Sequence, residues 1–215
     1  MAKSEHEDKG TNLMAMTLFH STTSPYVRKV DVLLRESGLL DQVTFIPGSG
    51  TPLAPNDETI TANPLGKVPA LLRDDGPAIY DSRVICRYLD ELAGGGFYPQ
   101  TRLYEVLTLE ATAEGILDAA LLMVYEGRLR PAEKRFDDWV EGQWLKIDRA
   151  LSVLEDRWMS HLHGTLTMGQ ISVGCALGYL DLRHNGRNWR KNRSSLAAWY
   201  EGFAKRETMQ ATVPV

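Results

Sequence analysis

The strongest constraint on this chain's fold is a change of hydrophobic period near its middle. Up to about residue 94, short apolar runs of strand length alternate with runs that recur every three or four residues; from residue 102 onward only the helical period remains. That asymmetry predicts two domains, an α/β unit over residues 17–94 and an all-α unit over 102–215. They are joined by a linker at 95–101, announced by the run Gly94-Gly95-Gly96. A length of 215 residues accommodates both.

Inside the first unit, residues 17–20 (TLFH) read as a strand, and Ser24-Pro25 then starts a helix, with a hydroxyl to cap it and a proline where the missing N–H costs nothing. Val27, Val30 and Leu34 give that helix its apolar stripe, and Gly38 ends it. A second strand is expected at 43–46, an irregular Pro/Gly-rich loop at 47–57 with a short helix behind it, and two strands at 68–72 and 78–80 around the turn Asp74-Asp75-Gly76-Pro77. A further helix starts at Ser82 and carries Ile85, Tyr88, Leu89 and Leu92.

The second unit opens with a long helix from Arg102 to about Gly127. Val140, Trp144, Ile147, Leu151, Leu154 and Trp158 make the core stripe of the next one. Thr167-x-x-Gln170 is a capping box that opens a helix reaching Leu182, and Ser194 or Ser195 is expected to cap a last one through Ala204. The order strand, helix, strand, loop, hairpin, helix, followed by helices only, is the outline of a thioredoxin-like N-terminal domain with an all-α C-terminal domain.

Composition narrows the function classes. With 43% hydrophobic and 24% charged residues the chain is that of an ordinary globular protein, and its longest apolar stretch, at 115–125, is broken by Asp118, far short of the roughly 20 residues a bilayer span needs. Residues 1–16 mix charges with Gly and Asn and lack a secretory apolar block, so a mobile tail and a cytoplasmic location are expected. Net charge is −4, which argues against a nucleic-acid partner. The basic cluster at 183–193 around Trp189 reads as a helix-to-helix connection. Cys86 and Cys175 form no CxxC and read as buried free thiols. His161-x-His163 lacks further ligands in sequence, so no metal is expected, and no G-x-S-x-G elbow marks a hydrolase.

Three local features carry chemistry. Ser21, Thr22, Thr23 and Ser24 crowd four hydroxyls into the turn before the first helix, where backbone N–H groups and the helix dipole favour an anion such as a thiolate. Asn63-Pro64-Leu65-Gly66-Lys67-Val68-Pro69-Ala70 puts a proline at a strand start; a cis Val68-Pro69 bond there would turn the Val68 backbone outward to pair with an extended peptide. Asp81 and Ser82 stand where a strand turns into a helix, a mouth able to hold a carboxylate through N–H and hydroxyl donors while Asp81 takes an ammonium. Each feature read alone is also plain capping or an edge-strand proline.

Together they resemble the glutathione transferase family, in particular bacterial members with a serine in a T-S-P-[FY]-x-R-K turn, over nearly the whole chain. The resemblance implies that Ser24, with Thr23 and Ser21 as substitutes, faces the sulfur of glutathione. It implies that Lys67, Val68 and Pro69 meet the cysteinyl unit, and that Asp81 and Ser82 hold the γ-glutamyl end. Tyr104, Leu117 and Tyr125 on the long helix are the candidates for the wall of an electrophile pocket. Glutathione is then a co-substrate, the second substrate a small hydrophobic electrophile, and the assembly a homodimer. Members usually carry an aspartate where this chain has Gln170. A serine in place of a cysteine cannot form a mixed disulfide, which leaves conjugation ahead of thiol transfer. A non-catalytic interaction module and a glutathione-dependent isomerase or ether-cleaving lyase are the alternatives open at this level.

Overall fold

A computed structural model of the chain describes residues 15–214. Most of the tail expected at 1–16 lies outside them, and its last residue, Met16, is instead a buried residue of the first strand. The sheet contains β1 (Met16–His20), β2 (Val43–Pro47), β3 (Ala70–Arg73) and β4 (Gly76–Ile79) in the order β2-β1-β3-β4. β1 and β2 are parallel, as a crossover through a helix requires, and β3 is antiparallel to both β1 and β4. Side chains alternate across the sheet: Met16 and Leu18 enter the main core, whereas Phe19 packs on the other face with Ala62 and Ala70.

Helix α1 (Pro25–Glu36) connects β1 to β2, α2 (Asp57–Ala62) packs on β3, and α3 (Ser82–Leu92) lies beside α1. The helical domain comprises α4 (Leu103–Leu129), α5 (Asp137–Arg157), α6 (Met159–Leu162), α7 (Met168–His184), α8 (Ser194–Phe203) and α9 (Glu207–Gln210). α7 is buried along most of its length, with α4 and α1 packed against it, so one helix of the second domain forms part of the core of both. Among the described residues no helix is long and apolar enough to cross a membrane, and no group of three or more His, Cys, Asp and Glu could hold a metal ion.

The capping box at α7 forms as expected. Gln170 Oε1 accepts from the Thr167 N–H at 2.9 Å, and its Nε2 donates to the carbonyls of Thr165 at 2.8 Å and His161 at 3.0 Å. A carboxylate could serve the first bond but not the other two, which is what the amide adds here.

The start of α8 corrects the sequence reading. Neither Ser194 nor Ser195 caps it; the Glu155 carboxylate of α5 accepts from the N–H groups of Ser195 at 3.1 Å and Leu196 at 2.7 Å. Partial burial pushes the Glu155 carboxyl up, but these donors outweigh it and hold it below the usual carboxylate range. The stability it contributes is therefore present above the ordinary carboxylate pKa and lost as pH falls through the depressed value. Glu155→Gln is expected to cost about 0.5–2 kcal/mol at neutral pH, in line with other helix caps. The gap in thermal midpoint between variant and parent should close on acidification; a gap independent of pH would show that charge plays no part.

The basic connection at 183–193 is occupied by the protein itself. Arg190 pairs with Asp181, Arg193 with Asp148 and Arg187 with Glu141, while Trp189 is buried and donates its Nε1–H to Asp181 at 2.7 Å. Trp189 therefore presents almost no surface to solvent. Cys86 and Cys175 are free and buried, and burial pushes the Cys175 thiol up to about 11.

Candidate active site

Strand register brings the three sequence features to one end of the sheet. Phe19 stands opposite Ala70 and Leu71 opposite Ile79, so the end of β1, the start of β3 and the end of β4 are neighbours. The turn at 21–24, the segment ending in Pro69 and the mouth of α3 all open there.

In the first loop Ser24 is the N-cap of α1, with extended backbone, and its Oγ accepts from the Val27 N–H at 3.3 Å. Acceptance uses a lone pair and leaves the hydroxyl proton available, and among the described residues that proton has no acceptor. The Ser21 and Thr23 hydroxyls lie 3.4 Å apart and engage each other. Ser24 thus caps α1 and still keeps a hydroxyl proton to give.

In the second loop the Val68-Pro69 bond is cis. Among the described residues neither the N–H nor the C=O of Val68 has a hydrogen-bond partner, although the neighbouring Lys67 carbonyl accepts from Asn63 Nδ2 at 2.8 Å. Asn63 is buried and also accepts from the Leu65 N–H at 3.0 Å, so this one side chain shapes the loop. Gly48 packs against it from the β2 side: a Cβ there would stand 2.7 Å from Val68 Cγ1 and 3.1 Å from Phe19 Cβ, a close approach that only glycine permits.

In the third, the Tyr80-Asp81 peptide is also cis. Asp81 caps α3 by accepting from the Arg83 N–H at 3.0 Å, and its other oxygen pairs with Arg83 at 2.9 Å. Partial burial raises its pKa, but Arg83 wins and holds the carboxyl below the usual range. The cation expected beside Asp81 is therefore supplied by the chain in this structure. Ser82 is buried, its hydroxyl 3.5 Å from Glu114 Oε1.

That contact leads to the feature the sequence analysis missed. Lys29 of α1 is 0% exposed and is paired with Glu110 at 2.9 Å and with Glu114, both on α4, while the Tyr98 hydroxyl from the linker donates to Glu110 at 3.0 Å. Helix α1, the mouth of α3, the linker and α4 meet in this cluster. The available signal was a run of acids at four-residue spacing along one side of α4, Glu110, Glu114 and Asp118. A second bridge between the domains is the Tyr26 hydroxyl, which donates to Asp118 of α4 at 2.6 Å; burial and then Asp118 push that phenol above its ordinary range.

The residues expected to wall an electrophile pocket differ in exposure and lie far apart along α4. Leu117 is 0% exposed, locked between helices, and offers no surface to a ligand. Tyr104 is 80% exposed on the first turn of α4, about 21 Å along the helix axis from the Asp118 that meets Tyr26. Tyr125 is half-buried two turns beyond Asp118 on the same face of α4.

A thioredoxin-like sheet with a cis-proline loop, followed by an all-helical domain, defines the class of protein. Residues 23–92 match the glutathione S-transferase N-terminal domain, and residues 137–202 the glutathione S-transferase C-terminal domain. The uncharacterized GST-like protein YibF of Escherichia coli K12 is 34% identical over 204 residues, covering 93% of this chain and 98% of that protein. A glutathione transferase family member from Pseudomonas fluorescens Pf-5, crystallised with bound glutathione, is 46% identical. It superposes with a TM-score of 0.91 over 94% of this chain and 100% of its own. A glutathione S-transferase from Methylobacillus flagellatus KT, also with glutathione bound, is 36% identical with a TM-score of 0.81 over 94% and 100% of the two chains. The chain belongs to the glutathione S-transferase family.

Proposed function

We propose that this protein is a glutathione transferase acting as a cytoplasmic homodimer, which holds glutathione at the end of the sheet and presents its sulfur, as thiolate, to a small hydrophobic electrophile. The observation that carries the reading is the convergence of an unengaged hydroxyl proton at a helix N-terminus with a strand-like backbone lacking partners and a helix mouth. Ser24, aided by the α1 dipole, stabilises the thiolate. The Val68 N–H and C=O pair with the cysteinyl unit beside Pro69 and Lys67. The mouth of α3 holds the γ-glutamyl carboxylate through backbone N–H groups and the Ser82 hydroxyl, which gives up its long 3.5 Å contact to Glu114 to do so. Attack then forms a bond from sulfur to an electrophilic carbon, the displaced group leaves with the electron pair, and the protein forms no covalent bond. The Pseudomonas and Methylobacillus proteins support the co-substrate, being similar chains with glutathione bound. The face of α4 carrying Asp118 and Tyr125, beside Tyr26, is the wall we assign to the electrophile.

Calorimetric titration with glutathione tests the reading, followed by conjugation assays on a panel of electrophiles. Saturable binding is expected, and Ser82→Ala should weaken it by about 1–3 kcal/mol, the cost of a lost hydrogen bond to a buried carboxylate. Equal affinity in both proteins removes Ser82 from the site; absence of binding in the parent removes the function.

A further inference from the structure

The Ser82 hydroxyl has a single proton and, once glutathione is bound, two carboxylates to serve. In this structure it stands 3.5 Å from Glu114 Oε1, and both residues are buried. The function proposed above, on which this inference rests, turns the same hydroxyl to the γ-glutamyl carboxylate. A hydroxyl donates once and accepts twice, so it cannot donate fully to both anions.

The two carboxylates that meet Lys29 are unequally held. Glu110 has Lys29 and also the Tyr98 hydroxyl, which lies 3.1 Å from one of its oxygens and 3.0 Å from the other. Among the described residues Glu114 has Lys29 and the long contact to Ser82. Burial pushes the Glu114 carboxyl up, Lys29 pulls it down, and Glu110 and Asp118 add to the rise, which leaves it above its ordinary value. Tyr26 of α1, Arg83 and Cys86 of α3 and Cys175 of α7 also face it. Burial keeps the phenol and both thiols protonated at neutral pH, and Arg83 is a fixed cation. A ligand carboxylate arriving at Ser82 brings a further anion and takes a donor away, and both changes favour the neutral form of Glu114. Its side chain is 11% exposed, which gives solvent access to the carboxyl.

We propose that Glu114 is a positioning residue that takes up a proton from solvent as glutathione binds, and then donates to Ser82 Oγ while Ser82 donates to the γ-glutamyl carboxylate. One proton passes from buffer to Glu114, and no covalent bond between heavy atoms changes. Ionised Glu114 competes for the Ser82 proton, whereas neutral Glu114 directs that proton to the ligand and strengthens the chain. A group whose pKa rises on binding favours the complex below that raised value. Glutathione affinity is therefore highest in mild acid and falls as pH climbs.

Calorimetry with S-methylglutathione, which has no thiol proton to lose, measures the protons exchanged when it is run in both phosphate and imidazole buffer. Between about pH 5.5 and 7 the amine and carboxyl groups of the ligand stay mostly in one state. The parent should take up a substantial fraction of one proton per site, and its affinity should fall with pH by up to about tenfold per unit. Glu114→Gln, which leaves Lys29 paired with Glu110, should bind without uptake and with affinity level across the window. Ser82→Ala should lose most of the uptake, and it decides by itself if Glu114→Gln does not fold. Binding without uptake in the parent, or uptake unchanged in either variant, would overturn the proposal and leave the glutathione reading standing. Absence of S-methylglutathione binding to the parent would overturn both.

Discussion

Lys29→Met should lower folding stability by about 3–5 kcal/mol, because it leaves Glu110 and Glu114 buried at the domain boundary with no cation between them. Against a typical total of about 5–15 kcal/mol, that is a large fraction of what holds the fold. The measurement is the denaturant midpoint, read together with the slope. The combined variant Lys29→Met/Glu110→Gln/Glu114→Gln should recover much of the loss, since buried charges removed together take their desolvation cost with them. A loss below about 1 kcal/mol for Lys29→Met would mean that water reaches the carboxylates or that they carry protons.

The pH dependence has a definite sign. Burial alone pulls the Lys29 ammonium down, but Cys86, Glu114 and Glu110 outweigh it and hold it above the usual lysine range. A raised lysine contributes stability that is complete below its unfolded pKa, near ~10.4, and is lost only as pH climbs through the higher folded value. The difference between parent and Lys29→Met should therefore stay constant from neutral pH to about 10 and shrink above it.

Ser24→Ala should move the pH–rate profile of conjugation upward by about 1–2 units, because a hydrogen bond to a charged group is worth about 1.5–3 kcal/mol and one unit about 1.36 kcal/mol. At pH 6.5 the rate then falls by about ten- to a hundredfold and recovers above the shifted value. Glutathione affinity should change little, since the tripeptide is gripped at Val68 and at the α3 mouth. Separately, the variant loses the cap on the Val27 N–H, about 0.5–2 kcal/mol of stability. Thr23→Val and Ser21→Ala are the controls, and both should leave the profile in place because neither hydroxyl stands at the N-cap of α1. A shift in Thr23→Val instead transfers the role to Thr23. Three unshifted profiles would leave the helix dipole and backbone N–H groups as the activators.

What the chain's own letters determined is what depends on neighbours within about four positions. Ser24-Pro25 starts α1, Asp81 caps α3 and Thr167-x-x-Gln170 closes on itself, because each cap joins atoms only two or three residues apart. Alternation and helical period likewise set the element order, and a proline before a short apolar run marked the loop whose bond is cis. Only tertiary packing decided the rest. Lys29 reads as one more charge on an amphipathic helix until α4 brings carboxylates 81 and 85 residues away onto it. Arg28 meets Thr212 across 184 residues, and the cap of α8 comes from Glu155, 40 and 41 residues back. Leu117 is buried for the same reason: on a helix clasped from several sides, periodicity shows that a face is apolar but not what will cover it. Local bonds follow from local spacing, whereas the partner of a buried charge or an apolar face is set by which distant surfaces exclude water together.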